Sequence, residues 1–357
     1  MKVKSIEIWR ILFALSIMLC HACLLPWNQS LDGRQLFHVN SLGVEFYFVL
    51  SGYLMAKSAK RGSENYGSDT VSFLYRKLKA IYPTFLFAAV FEIVIATTLR
   101  SSITWNIKSC VWDVLFLRLF SLSGNEELLV GASWYLFALF PAMAVIYPFL
   151  RAKRDIFLNI IAPLSALFIF GYFSHNYGHI NFALHTTEKG VSLGLLRAIS
   201  ELCLGCFCYA LCEKLRERGR TRPSASIAFT IIEILSLSSI FAFAVLGIRS
   251  HTDFICLLLI SLGIVSAFSG KSYINFFMSR VPDSVISFIS KYSLALYLNH
   301  YVWLRTFQDW KLPVSFWLHL IMYVCLSLTT SLVCVFTVDL LKAWINSIKK
   351  NHAKVSG

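Results

Sequence analysis

The chain is 357 residues long, 57% hydrophobic and only 15% charged, with a mean hydropathy of +0.65, whereas soluble domains carry about 45–50% apolar and about 25% charged residues. So high a mean, with 30 Phe, 15 Tyr and 9 Trp spread along the chain, excludes a soluble globular domain, a disordered chain, a coiled coil and a small disulfide scaffold; it leaves one polytopic membrane domain over 1–357. A net charge of +14 would suggest nucleic acid in a soluble protein, but here its placement makes it a topology signal and no nucleic-acid partner is expected.

Apolar runs of spanning length cover 6–25, 40–57, 80–99, 131–150, 156–173, 193–212, 225–248, 252–269, 286–305 and 314–341. Each is near the 17–25 residues that cross a bilayer, which predicts an all-α transmembrane bundle of about ten helices. No small-residue cleavage site follows the first run, so it is expected to be a retained span rather than a signal peptide. The second is marginal in length. Between the third and fourth, 107–122 (IKSCVWDVLFLRLFSL) is interrupted by Lys108, Asp113 and Arg118 and is expected to be interfacial or re-entrant. The charged loop 213–223 ends in Pro223, a residue suited to opening a helix. A short cytoplasmic tail is expected over about 342–357, with no hydrolase-like domain after it.

With the N-terminus inside, the loop Lys and Arg residues divide 22 to 7 in favour of the cytoplasmic side, clustering at 57–79, 151–154, 214–222 and 342–354. Both termini are therefore expected in the cytoplasm, with membrane lipid as a partner of the basic surface. The ten Cys lie almost wholly inside apolar runs, Cys203, Cys206, Cys208 and Cys212 on one helix, and read as small apolar packing. His175 and His179 have HxxxH spacing, with His185 nearby, yet no carboxylate or Cys stands at ligand spacing; no metal is expected.

Ionisable side chains inside a bilayer cost about 2.5–3.5 kcal/mol at a helix centre, so each one is a functional candidate. The first helix has two, Arg10 and His21. Eleven residues apart, they are offset by about 20° from whole turns and separated by roughly 16 Å along the axis: one face, two ends. They cannot form a contact pair but can meet the two ends of one long ligand. Arg10 can also be read as snorkelling to headgroups and His21 as a wet helix end. The second helix, GVEFYFVLSGYLMAKS, carries Glu45 in its outer turn, where it is expected level with His21. A His–carboxylate pair would fix the imidazole tautomer and strengthen the other nitrogen as a base. Ser51 and Gly52 lie two turns deeper, a small pair that lets helices approach closely.

WRILFALSIMLCHA, GVEFYFVLSGYL, FLYRKLKAIYPTF, SWYLFALF and KYSLALYLNHYVW occur in that order, and together they resemble the acyltransferase family 3 proteins, integral-membrane O-acyltransferases of mainly bacterial surface glycans. The resemblance covers nearly the whole chain. It implies about ten helices in the bacterial inner or plasma membrane, passing an acyl group, usually acetyl, from cytoplasmic acyl-coenzyme A to a sugar hydroxyl at the outer face. It implies no permanently bound cofactor; acyl-CoA is a co-substrate, and the acceptor is a lipid-linked or surface polysaccharide. By the same resemblance His21 is similar to the catalytic histidine and Arg10 to its basic partner. Glu45 stands at the acidic position and Ser51–Gly52 at the SG pair. Trp134 and Tyr135 match a Trp-aromatic-Leu motif, and Tyr297 and His300 a Tyr-Leu-x-His element. One motif departs: the family's two arginines before the proline become Lys77 and Ala80 ahead of Pro83, with Arg76 and Lys79 alongside.

The leading expectation is acyl transfer, with Arg10, Arg76, Lys77 and Lys79 cradling the donor's phosphates, Ser51 lining the donor site, and His21 acting as general base or acyl carrier oriented by Glu45. Outer aromatics such as Trp27, Trp105, Trp112 and Tyr177 offer stacking surfaces for sugar rings. A lipid-linked glycan flippase is the alternative; it calls for basic residues deep in several helices, whereas the buried charges here concentrate around one His. A glycan polymerase calls for a long outer loop, and a non-catalytic membrane sensor requires His21 to be inert.

Overall fold

The computed structural model describes residues 3–26, 42–59, 65–99, 107–120, 128–183, 186–188, 190–217, 223–246, 251–310 and 312–355. Among these, each of the ten predicted runs is helical. In chain order the helices are α1 (Lys4–His21), α2 (Leu42–Ser58), α3 (Tyr66–Leu99), the short α4 (Ile107–Val114), α5 (Trp134–Ala152), α6 (Arg154–Asn176), α7 (Leu193–Glu217), α8 (Pro223–Leu246), α9 (Thr252–Phe268), the short α10 (Tyr273–Met278), α11 (Asp283–Trp310) and α12 (Phe316–Val355). A small antiparallel hairpin pairs Thr187–Glu188 with Val191–Ser192. Seven helices, α1, α3, α5, α6, α7, α8 and α12, are long and apolar enough to cross a membrane. α2 and α9 are shorter, at 17 residues each, and α11 is 28 residues long with ionisable side chains along it; they complete the ten. Trp27, Trp105, His185 and the loop cations Lys60, Arg61, Arg218, Arg220 and Arg222 lie outside the described residues.

Several boundaries differ from the hydropathy reading. The basic stretch before residue 80 is not a loop but the first four turns of α3, which runs unbroken from Tyr66. Arg76, Lys77 and Lys79 lower the local hydropathy without any residue that breaks a helix. The expected tail is likewise the continuation of α12 as far as Val355. Of the 107–122 segment, residues 107–120 are described; they form α4 and a 3-10 turn over Leu117–Phe120, with Asp113 and Arg118 buried. Asp113 and Arg118 form a buried ion pair, Leu129 N donates to Asp113 Oδ2 at 2.5 Å, and Tyr82 donates its hydroxyl to Val114 O. Pro223 opens α8 as expected, supplying no N–H where a helix start has none to use.

Burial sorts the helices into an inner and an outer set. Two-thirds of the spanning window of α5 and of α7 is buried, against 22% for α8 and 28% for α6. The tightest seam joins α2 to α7. A Cβ on Gly52 would stand 2.1 Å from Leu202 O, and one on Gly205 would stand 2.0 Å from Val49 O. The two backbones therefore touch through reciprocal glycines, with Cys206 Sγ donating to Gly52 O from the same seam.

α1 and α11 run parallel and in step. Lys4 at the start of α1 bonds Ser279 O and Val281 O and pairs with Asp283 at the start of α11. Near the other end Gln308 of α11 donates to Leu24 O, just past α1. Side chains along this seam define the site.

Candidate active site

Arg10 and His21 both meet α11, as their common face requires. Arg10 Nη1 donates to Ser290 Oγ and to Glu7 Oε2, each at 3.0 Å, while its Nε is buried without a hydrogen-bond partner. A turn-by-turn match along the parallel helices then brings His21 to His300, whose Nε2 lies 3.3 Å from His21 Nδ1. The edge of the Tyr301 ring closes on His21, 5.5 Å between centroids.

The hydrogen bonds of the two imidazoles assign their protons. His21 Nδ1 lies 2.9 Å from Ile17 O, and His300 Nδ1 lies 3.0 Å from Leu296 O, each one turn back on its own helix. A carbonyl only accepts, so each Nδ1 carries the hydrogen and each Nε2 keeps a lone pair. His300 Nε2 then accepts a share of the His21 Nδ1 hydrogen, and His21 Nε2 is left as the available base. His21 is half-buried and His300 fully buried.

A cavity of about 310 Å³ opens at the end of the bundle where α1 begins. Its walls come from α1, α2, α3, α5, α11 and α12. Arg10, Lys77, Lys291 and Lys342 supply four cationic side chains to its lining, with Asp339 bonded to Lys291 at 2.7 Å. The rest of the lining interleaves the apolar Leu50, Leu54, Leu136 and Leu139 with the hydroxyls of Ser51, Tyr47, Tyr135 and Tyr297. Ser51 Oγ and Tyr135 OH are 3.1 Å apart. Cations together with an apolar, hydroxyl-bearing wall suit an elongated ligand with anionic groups at one end.

The basic cradle is narrower than expected. Of Arg76, Lys77 and Lys79, only Lys77 lines the cavity; Arg76 and Lys79 are exposed on other faces of α3, Lys79 lying over the Tyr75 ring. Neighbours on a helix are separated by about 100°, so three near-consecutive cations cannot share one face.

Glu45 is not beside His21. Gly43 packs on Phe13 and Ile17, and Tyr47 donates its hydroxyl to Arg10 O, so the 43/47 face of α2 meets α1. Glu45 lies about 200° round from Gly43 and faces α7. There it pairs with Arg197 at 2.6 Å, and Arg197 also holds Glu201 at 2.9 Å and donates to Phe182 O. Trp134 lies under the same guanidinium, 5.4 Å away, so the Trp-aromatic pair is divided: Trp134 serves this cluster and Tyr135 the cavity. The buried charges thus do not concentrate around one His. Neither Arg197 nor Glu201 is singled out from the sequence, although the two stand at i,i+4 within an apolar run. Ser290 and Tyr47, whose roles depend on tertiary contacts, were missed as well, and no local signal marked them.

Tyr297 donates to Ala132 O and stands one turn before His300, ring centroids 6.2 Å apart. His300 is thereby the partner of His21, in the place Glu45 was expected to hold. Among the described residues no group of three or more His, Cys, Asp or Glu gathers as a metal site.

Neither the curated proteins nor the solved structures include a match to this chain. The sequence model of a family described as an acyltransferase domain, acyltransferase family 3, matches residues 3–338, the span that holds both the cationic cavity and the histidine pair, and the chain is a member of that integral-membrane acyltransferase family.

Proposed function

We propose that the protein is an O-acyltransferase that moves an acyl group, acetyl in the expected case, from acyl-coenzyme A in the cationic cavity to a sugar hydroxyl of a lipid-linked or surface glycan arriving from the opposite face. The observation that carries this reading is the arrangement of one parallel seam. The α1/α11 pair bears Arg10 and Ser290 at the cavity and His21 and His300 some 16 Å further on. That span matches a donor whose phosphates sit at one end and whose thioester lies at the other. The cavity end is cytoplasmic in this reading, in agreement with the charge asymmetry of the loops.

His21 Nε2 takes the proton of the acceptor hydroxyl as its oxygen attacks the thioester carbonyl. The carbon–sulfur bond then breaks, and the thiolate leaves with the proton returned by the imidazolium. The same lone pair can attack the thioester itself, breaking the carbon–sulfur bond and expelling the thiolate to give an acyl-imidazole; the sugar hydroxyl then takes the acyl group, freeing the imidazole, and its proton ends on the thiolate. His300 shares the Nδ1 hydrogen in either route and holds the ring with Nε2 forward.

The test is purified protein in lipid nanodiscs given acetyl-CoA and the glycan fraction of the producing cells. The expected result is thiol release that depends on glycan, with one acetyl mass increment per modified repeat unit. Glycan of unchanged mass with every short-chain acyl-CoA tried would refute the reading. Acid-quenched peptide mapping of His21 separates the two routes, since only the acyl-imidazole route leaves a modified histidine.

A further inference from the structure

The cavity stops short of the histidine pair. Its floor is closed by three rings from three helices, Tyr47 of α2, Tyr135 of α5 and Tyr297 of α11. Their centroids stand 6.0 Å (Tyr47–Tyr297), 5.8 Å (Tyr135–Tyr297) and 6.4 Å (Tyr47–Tyr135) apart. Aromatic rings at such separations are within contact range of one another, so the three crowd the centre of the triangle they form. Each hydroxyl is tied to a different element: Tyr47 to Arg10 O of α1, Tyr297 to Ala132 O just before α5, and Tyr135 to Ser51 of α2. Tyr135 and Tyr297 are buried and Tyr47 nearly so. His300 begins one turn beyond Tyr297, about 4.5 Å along α11. A single layer of rings therefore separates the donor cavity from the imidazoles.

We propose that Tyr47, Tyr135 and Tyr297 form a seal between the donor cavity and the histidine pair, which keeps water from the acceptor side off the bound thioester and must part for the acyl carbon to reach His21. The proposal rests on the acyl-transfer reading for its purpose, though not for the existence of the seal. A thioester in open contact with water next to a base would be lost: water adds to the carbonyl, His21 takes its proton, the carbon–sulfur bond breaks, and free acid and thiol leave. With the seal closed that reaction has no water on the acceptor side, and transfer to a sugar is favoured over hydrolysis. The bonds suit a layer that can part, because each ring is held through its hydroxyl alone, Tyr47 by a backbone carbonyl and the Ser293 hydroxyl, Tyr297 by a backbone carbonyl and Tyr135 by a serine hydroxyl, so one ring can swing without unravelling a helix.

Two measurements test this. In the first, Leu54→Cys places a thiol in the cavity below the rings, and a small charged methanethiosulfonate is added to membrane vesicles of either orientation. Peptide mapping separates the introduced thiol from the native cysteines. With the rings intact, that thiol is expected to react from the cavity face only. In the Tyr297→Ala or Tyr47→Ala background it should react from both faces, the acceptor-side rate rising at least tenfold. Tyr135→Phe and Tyr297→Leu, which keep most of the bulk, should stay closed and cover the case in which an alanine variant fails to fold. In the second, thiol release from acetyl-CoA without acceptor should rise several-fold relative to transfer in the inserted alanine variants.

Labelling of the Leu54→Cys thiol from the acceptor side with all rings present, or no gain on removing a ring from a folded variant, overturns the seal. Labelling as expected from a protein that never consumes acetyl-CoA would support the seal and sink the acyl-transfer reading instead.

Discussion

At His21 the chemistry proposed above depends on a single nitrogen, because Nδ1 is committed to Ile17 O and His300. His21→Gln keeps the size and a hydrogen bond but has no basic nitrogen, so turnover should fall by about 10²–10⁴ while the KM for acyl-CoA holds. His300→Ala should lower kcat about tenfold, and His300→Gln should recover part of it, since its amide oxygen can accept the same hydrogen. Steady-state kinetics on protein inserted at normal levels checks both, and an unchanged kcat in His21→Gln would make the histidine a structural helix end. At the cavity mouth Lys77→Ala should raise the KM for acyl-CoA several-fold, whereas Arg76→Ala and Lys79→Ala should leave it near wild type, because of the three only Lys77 lines the cavity. Glu45→Ala belongs with stability instead. It removes one of two carboxylates from the buried Arg197, which keeps Glu201, so the loss should fall below the about 3–5 kcal/mol of a buried charge left unpaired, and the thermal midpoint in detergent should drop while the pH profile of the remaining activity keeps its shape. The Arg10–His21 relation was readable because spacing on one helix is a local property. Glu45 was misplaced because its partner depends on which face of α2 meets which neighbour, and the Gly43 and Gly52 contacts that decide this are made with chain segments far away.

Helix packing turns on the α2–α7 seam, where Gly52 and Gly205 each stand against a backbone carbonyl of the other helix. Backbone cannot step aside as a side chain does. Gly52→Ala should therefore push the helices apart and destabilise by at least the 1–3 kcal/mol or so of an overpacked core, with Gly205→Ala similar. Thermal unfolding in detergent, or the fraction of protein that stays monodisperse after extraction, reports it; an alanine at Gly52 with no loss would mean that the helices are not in backbone contact. The SG pair was visible in the sequence as a small-residue signal, and its partner helix was not. Helix limits at the membrane surface were least readable, since α3 and α12 extend well past their apolar cores. Hydropathy records the solvent around a residue, while the helix continues for as long as its backbone bonds do.

Across the whole molecule, the long helices among the described residues alternate so that the starts of α1, α8 and α11 and the end of α12 share one face, the cytoplasmic one in the acyl-transfer reading. A thiol at Ser224→Cys, beside the start of α8, and a reporter fused after Gly357 should both report the cytoplasmic side. Either one reporting outward would reverse the direction in which the donor enters. The parallel α1/α11 seam has a consequence for synthesis. His21 and His300 are 279 residues apart in the chain, so at about 5–20 residues per second the ribosome takes on the order of 15–60 s to deliver the partner of a helix that has already entered the membrane. Throughout that interval α1 holds Arg10 and His21 in the bilayer with no α11 to meet them, and a chain cut short anywhere before α11 carries one member each of the Arg10–Ser290 and His21–His300 contacts.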